Sequence, residues 1–407
     1  MTAALPTLAK LKPNPHWARL PLFNRKNWSR VRFGDVVENV NERVEPSTAA
    51  EEIYVGLDDL DSGSLHIRRW GKGSDVIGTK LRFRKGDIIF GRRRAYQRKL
   101  AVAAVDGICS AHSMVARAKP KVVLPEFLPF LMMSDKFMNR AVDISVGSLS
   151  PTINWTTLKL EEFDLPPLDQ QRRIAEILWA VDTSLQQAIA LANSVENAKS
   201  ATVEEHFNRS LENKLNVQPL EAVAKVSYGI TLGGYRKTLP IERPYLRVAN
   251  VQRNAFDLSE VKTINCAENE IARFELADGD VLIVEGHASV TEIGRAAVWR
   301  STENGTLHQN HLIRARCSES LLPEYLNLCI NGGVGQEYFR SRAKSSSGLN
   351  TINSTVVKEF PVPITPVRAQ ETLIAEITKF DGSLRSVEVN QGSLRNLVQT
   401  ILNTIFA

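Results

Sequence analysis

Four cysteines in 407 residues, at positions 109, 266, 317 and 329, are few and scattered. No two stand in C-x-x-C spacing, which argues against a zinc ribbon or a disulfide scaffold and makes a reducing cytoplasm the expected setting. No run approaches 18 uncharged apolar residues, so a membrane span is excluded. The opening stretch, MTAALPTLAKLKPNPHW, has no basic segment leading into an apolar one, so no secretory signal is expected. Catalytic motifs are missing too. There is no G-x-x-x-x-G-K-[ST] phosphate loop, no G-x-G-x-x-G turn, no G-x-S-x-G elbow and no H-E-x-x-H helix. Neither Asn-Pro-Pro-Tyr nor Asp-Pro-Pro-Tyr, with which amino-methyltransferases hold a flipped base, occurs. His308 and His311 have metal-compatible spacing, but they lie in a strand-like run with no third ligand nearby. Cys109 reads as a small buried residue rather than a nucleophile.

What is present is an ordinary globular composition, 43% hydrophobic and 24% charged, sufficient for packed cores. The length predicts two or three domains. A net charge of +6 leans towards a polyanionic partner, although a basic enzyme would share it.

An internal repeat decides the organisation. Lys85-Gly86-Asp87-Ile88-Ile89-Phe90 returns as Asp278-Gly279-Asp280-Val281-Leu282-Ile283, a shift of 193. Leu124-Pro125-Glu126-Phe127-Leu128 returns as Leu322-Pro323-Glu324-Tyr325-Leu326, at 198, and Thr152-Ile153-Asn154 as Thr351-Ile352-Asn353, at 199. Ile174-Ala175-Glu176-Ile177 matches Ile374-Ala375-Glu376-Ile377 at 200, and Tyr54-Val55-Gly56-Leu57 faces Tyr245-Leu246-Arg247-Val248 at 191. Order is kept while the offset drifts, as small loop insertions produce. The chain reads as a tandem duplication of a unit of about 200 residues.

Each unit begins with glycine-broken β-rich runs and short helical starts, the pattern of an α+β domain. A proline stop follows, Leu165-Pro166-Pro167-Leu168 or Pro361-Val362-Pro363-Ile364, and then a long helix. Asp169 is the expected N-cap of the first helix, and Thr365 with Pro366 the cap and first residue of the second. In the second helix Leu373, Ile377, Phe380, Leu384, Val387, Gln391, Leu394, Val398, Ile401 and Ile405 alternate in steps of four and three. Nine of these ten are apolar, which makes a coiled-coil seam. The first helix has a weaker version: Ile174, Leu178, Val181, Leu185, Ala188, Ala192 and Val195. A rod of about 40 residues spans roughly 60 Å. Antiparallel pairing of two such rods would place the globular domains at opposite ends, as a ruler. One such helix alone would equally suit a core or a dimer contact.

The densest charge is Gly91-Arg92-Arg93-Arg94-Ala95-Tyr96-Gln97-Arg98-Lys99, a glycine-hinged loop directly after a predicted strand. Arginine can clamp guanine O6 and N7, glutamine can bridge adenine, and the other cations can fix phosphates. A solvated face is the plain alternative. The counterpart, 285–295, is about three residues longer and nearly uncharged, with His287, Ser289, Thr291 and Arg295 as its polar groups. Scaffold positions repeat while loop positions diverge, as two readers of different sequences would. The turns around Ser148 and around Lys344, Ser345 and Ser346 would suit phosphate contacts, or be ordinary exposed turns. Gln309, Asn310 and His311 complete the candidate DNA contacts.

These residues resemble the specificity subunit of type I restriction–modification systems over nearly the whole chain. The resemblance rests on the duplicated Gly-Asp strand, the Leu-Pro-Glu-(Phe/Tyr)-Leu start, the Thr-Ile-Asn turn and Leu165-Pro166-Pro167-Leu168-Asp169-Gln170-Gln171-Arg172-Arg173-Ile174-Ala175-Glu176-Ile177-Leu178. The second copy of that last motif reads as carrying an insertion, with Glu371 in place of the second glutamine. The resemblance implies an α+β chain of two target-recognition domains, at 20–165 and 214–363, each followed by a conserved helix, at 166–213 and 364–407. Residues 1–19 are an extension without an assigned role. It implies no catalysis and no cofactor in this chain. Each domain would read half of a bipartite, asymmetric site in double-stranded DNA. The helices would pair antiparallel through Ile174, Leu178, Val181 and Leu185 on one and Ile377, Leu384, Val387, Leu394, Val398 and Ile401 on the other. Two modification subunits carrying S-adenosylmethionine would dock around them, with ATP- and Mg-dependent restriction subunits beyond. The same domains could also serve a non-catalytic reader in another modification or phage-defence assembly.

Overall fold

The repeated Gly-Asp pair is a turn closed by a buried ion pair. Gly86 and Gly279 take left-handed backbone angles, φ +91° and +86°, that any side chain would strain. The next carboxylate turns inward. Asp87 accepts the Arg84 N–H at 2.8 Å and two bonds from Arg117, at 2.7 and 2.8 Å. Asp280 repeats this with the Ala277 N–H at 2.8 Å and Arg316 twice at 2.7 Å. Both carboxylates are buried, and a buried charge persists only when paired and hydrogen-bonded in this way.

These turns launch the central strands. The computed structural model describes residues 24–212, 216–300, 305–346 and 348–406, so the extension 1–19 lies outside the described residues. Two compact units emerge, 1–188 with 389–407, and 189–388. The first holds a four-stranded sheet of β1 (Val37–Val40), β2 (Ile88–Gly91), β3 (Leu100–Val102) and β4 (Ser113–Ala118) in the order β1-β4-β2-β3. The second has β5 (Ala224–Tyr228), β6 (Val281–Val284), β7 (Ala296–Val298) and β8 (Leu312–Cys317) in the order β5-β8-β6-β7. All pairings within these two sheets are antiparallel. Each unit adds a second sheet containing one parallel pair, Ile53–Val55 with Gly107–Cys109, and Ile241–Leu246 with Leu307–His308. The central strands are apolar on both faces because both faces are covered. Ile88 and Phe90 enter one core while Ile89 enters the other. Val281 and Ile283, against Leu282 and Val284, divide in the same way.

Short helices cover one face: α1 (Leu128–Met133) and α2 (Asp135–Asp143) in the first unit. The long helix α3 (Leu168–Glu212) follows, then α4 (Pro323–Asn331) and α5 (Gly333–Arg342) in the second unit, and finally the long helix α6 (Val367–Phe406). Leu-Pro-Glu-Tyr opens α4 with proline at its first position, whereas in the first unit the same motif makes a turn and α1 begins only at Leu128. A two-stranded ribbon leads into each long helix, Ser29–Arg32 with Glu162–Leu165 and Val217–Pro219 with Pro361–Pro363. Asp169 falls within the first turn of α3 rather than at its cap, and the Thr365 hydroxyl makes no capping hydrogen bond to α6.

The entry into the long helices corrects the sequence alignment. Gln171 is buried; its amide oxygen accepts the Leu124 N–H and its nitrogen donates to the Val122 and Pro166 carbonyls. Gln370 makes the same three bonds, with the Leu322 N–H and the Ser320 and Thr365 carbonyls. The second glutamine is therefore kept at a shift of 199, and Glu371 does not replace it. No insertion precedes it. Burial agrees, since Ile174 and Leu178 correspond to Leu373 and Ile377. The Ile-Ala-Glu-Ile match at 200 is a one-residue slip that would turn the seam to solvent.

Each unit draws on both long helices. In the first, Ile174, Ala175 and Leu178 share a core with Leu402, Ile405 and Phe406, and the Gln391 amide donates to the Ala188 carbonyl at 3.2 Å. In the second, Val203 and Phe207 share a core with Leu373 and Ile377, and Lys199 pairs with Asp381 at 2.7 Å. The other seam positions, Val181, Leu185, Leu384, Val387, Leu394, Val398 and Ile401, are half-buried. The fold is mixed α and β, as read.

Candidate nucleic-acid interface

In the first unit β2 ends at Gly91, and the basic loop that follows is rigid rather than hinged. A short helical turn, Ala95–Gln97, sits between Arg94 and Arg98, both left-handed at φ 55° and 52°. Non-glycine residues persist there only when the surroundings hold them. They are held. Arg98 pairs with Asp135 at 2.5 Å and donates to the Met133 carbonyl, and Lys99 donates to the Leu57 carbonyl, both at 2.9 Å. On the other side the Ile153 N–H donates to the Arg92 carbonyl and the Arg94 N–H to Pro151. Arg98 and Lys99 therefore anchor the loop to the fold. Arg93, Arg94, exposed Tyr96 and Gln97 have no side-chain hydrogen bond or ion pair among the described residues and remain free to meet a ligand. The turn bearing exposed Ser148 is closed by Val146 and Thr152 and stands beside Arg93.

Arg92 turns into a concavity with Asn39, Asn41, Arg43, Lys80 and His112. None of these five neighbours stood out in the sequence. The signal was nonetheless there, because the shift of 199 carries His112 onto His311. The His112 pKa is lowered, first by burial and then by the charges of Arg93, Arg92 and Lys80. Burial alone would lower it, and the nearby cations add to that.

In the second unit the residue after β6 is Glu285. Gly286–His287 then pairs with Leu349–Thr351, which pairs with Lys344–Ser346, so His287, Lys344, Ser345 and Ser346 gather on one small ribbon. Ser289 and Thr291 share a hydroxyl hydrogen bond at 2.7 Å on the adjoining exposed turn. Gln309, Asn310 and His311 lie on the approach to β8, where His311 Nδ1 meets Glu285 Oε2 at 2.8 Å. Asn310 and His311 line a concavity with Tyr228, Tyr235, Arg236 and Glu285. Arg295 belongs elsewhere. It is 6% exposed, and its guanidinium is spent on the Val251 and Val248 carbonyls and on Glu292, so it braces the loop rather than facing a ligand. His308 is buried with Nδ1 on the Phe274 carbonyl, and burial holds its pKa down at about 4.

Among the described residues no group of three or more His, Cys, Asp or Glu side chains is placed to hold a metal. Cys109 is buried, which pushes its thiol up to about 12, the condition of an inert thiol. No helix of the described residues is long and apolar enough to cross a membrane.

Residues 26–197 match the family described as the Type I restriction modification DNA specificity domain. The chain is 24% identical over 317 residues to the type I restriction enzyme EcoKI specificity subunit of Escherichia coli strain K12, covering 73% of this chain and 68% of that one. Among solved structures it is similar to a chain from work on complex assembly and conformational transition of the type I R-M system, with 19% identity, TM-score 0.57, and coverage of 94% and 98%. It is also similar to the type I restriction–modification S subunit from M. genitalium, with 14% identity, TM-score 0.55, and coverage of 96% and 98%. At such identities the two structures establish the fold.

Proposed function

We propose that this chain, whose residues 26–197 carry the type I specificity domain, is the DNA-specificity subunit of a type I restriction–modification complex. The observation that carries the reading is that the four-stranded sheet of the unit with the family match recurs in the other unit with the same strand order, beside a cationic concavity in the first and a mixed one in the second. Each unit reads one half of an asymmetric, bipartite site in double-stranded DNA. Helices α3 and α6 pair antiparallel and fix the gap between half-sites. Support for that pairing comes from each unit separately, where an early stretch of one helix shares a core with a late stretch of the other.

The chain supplies recognition and no chemistry. Modification subunits carrying S-adenosylmethionine dock on it and methylate adenine, and restriction subunits bring ATP, Mg and cleavage, all in the cytoplasm. Sequencing the methylome of cells that express the complete system tests the reading. One bipartite motif that disappears when this gene alone is deleted supports it. Methyl transfer or cleavage by the purified chain without partners would sink it.

A further inference from the structure

The two units present opposite charges at one equivalent backbone position. Arg92 is the first residue after β2 and Glu285 the first after β6. Each offers its carbonyl to the isoleucine of the Thr-Ile-Asn segment, from Ile153 and Ile352, both at 2.9 Å. The residue after each bridges the threonine of that segment, Arg93 with Thr152 and Gly286 with Thr351. Both side chains turn towards the approach to the neighbouring strand of the sheet, β4 or β8, Arg92 donating to Ala111 at 3.1 Å and Glu285 meeting His311. The backbone is thus pinned identically while the side chain is reversed in chemistry.

We infer that this position chooses the base chemistry of each half-site, Arg92 selecting guanine in one and Glu285 a base with an exocyclic amino group in the other. The inference rests on the reading that both units bind DNA. Arg92 can only donate. Its Nη2 donates to the Ala111 carbonyl while its Nη1 has no partner among the described residues, so the guanidinium keeps donors to offer, and guanine O6 and N7 accept from such a group. Glu285 as a carboxylate can only accept. His311 holds Oε2, and Oε1 has no partner among the described residues. Its charge repels phosphate, which excludes a backbone contact and leaves the amino groups of cytosine or adenine.

The test uses the full chain assembled with its modification subunits, in four forms: unaltered, Arg92→Lys, Arg92→Ala and Glu285→Gln. Motifs are read by methylome sequencing, and affinities by competition with DNA varied one base at a time. Arg92→Lys keeps the charge and loses the fork, so discrimination for guanine at one position should fall roughly ten- to hundredfold while the other half-site is unchanged. Glu285→Gln, nearly isosteric, should relax one position in the other half-site, and the base whose preference vanishes tells cytosine from adenine. Arg92→Lys behaving as the unaltered chain, with Arg92→Ala weakening all sequences equally, would make Arg92 a phosphate contact and overturn the proposal. An unchanged motif with Glu285→Gln overturns it equally. If the unaltered complex marks no bipartite site, the functional reading itself fails.

Discussion

Asp280 and Asp87 show how much one buried side chain can fix, since each ties a turn to the neighbouring strand through three hydrogen bonds. Replacing Asp280 by Ala strands Arg316 and the Ala277 N–H, and the expected loss is about 3 kcal/mol, read from urea unfolding of the full chain. His308 makes a pH prediction. Folded, it protonates only at about 4 because it is buried, whereas an exposed histidine does so near about 6.5. The unfolded chain therefore takes the proton first. Stability from this group is complete above about pH 6.5 and falls by about 1.4 kcal/mol per unit as the pH drops from there towards 4. A His308→Gln variant should lose that part of the acid sensitivity, seen as a smaller difference in urea midpoint between pH 7 and pH 5. At this scale the sequence was an uneven guide. The Gly-Asp pairs were legible because turns demand glycine. Arg98 and Lys99 were not, because a run of cations does not say which of them turn inward, and neither was Arg295, a lone cation in a nearly uncharged loop. His112 escaped because no motif surrounds it.

Elements were easier to read than residues, because periodicity survives divergence. The four-and-three seam named the buried Leu373, Ile377 and Ile405 of α6 and missed Leu402 and Phe406. Its alignment with α3 failed by one position, because Ile-Ala-Glu-Ile recurs where the buried glutamine does not. Sequence identity rewards matching letters, whereas the structure keeps the side chain with three hydrogen bonds. Replacing Gln370 by Glu should therefore be as damaging as replacing Gln171, since a carboxylate cannot donate to Ser320 and Thr365, and the expected loss is about 2 kcal/mol in chemical denaturation. Gly392 offers the opposite effect. A methyl group there meets nothing within 4 Å, so Gly392→Ala should stabilise the isolated chain by about 1 kcal/mol, visible as a higher melting temperature.

At the scale of the whole molecule, the proposed function would separate what is read from how far apart it is read. On the proposed reading, Arg93 and Arg94 hold the DNA backbone. Replacing both by Ala should weaken all DNA sequences alike and flatten the salt dependence by about one per lost phosphate contact; an unchanged slope would mark a solvated face. On the same reading, the rods set the spacing. Adding seven residues to both helices at the Ala188–Gln391 contact keeps the seam in phase and lengthens each by about 10 Å. At about 3.4 Å per base pair the gap between half-sites should grow by about three, and an unaltered gap would argue against a ruler.

The last turns of α6 also impose an order of events during synthesis. Leu402, Ile405 and Phe406 fill the core of the first unit, with Phe406 against Phe127 and Trp28. On the ribosome, that core stays open until these residues clear the exit tunnel. By then every residue of the second unit, 189–388, has already been joined to the chain. The domain made first is therefore finished last, after the second unit has been made.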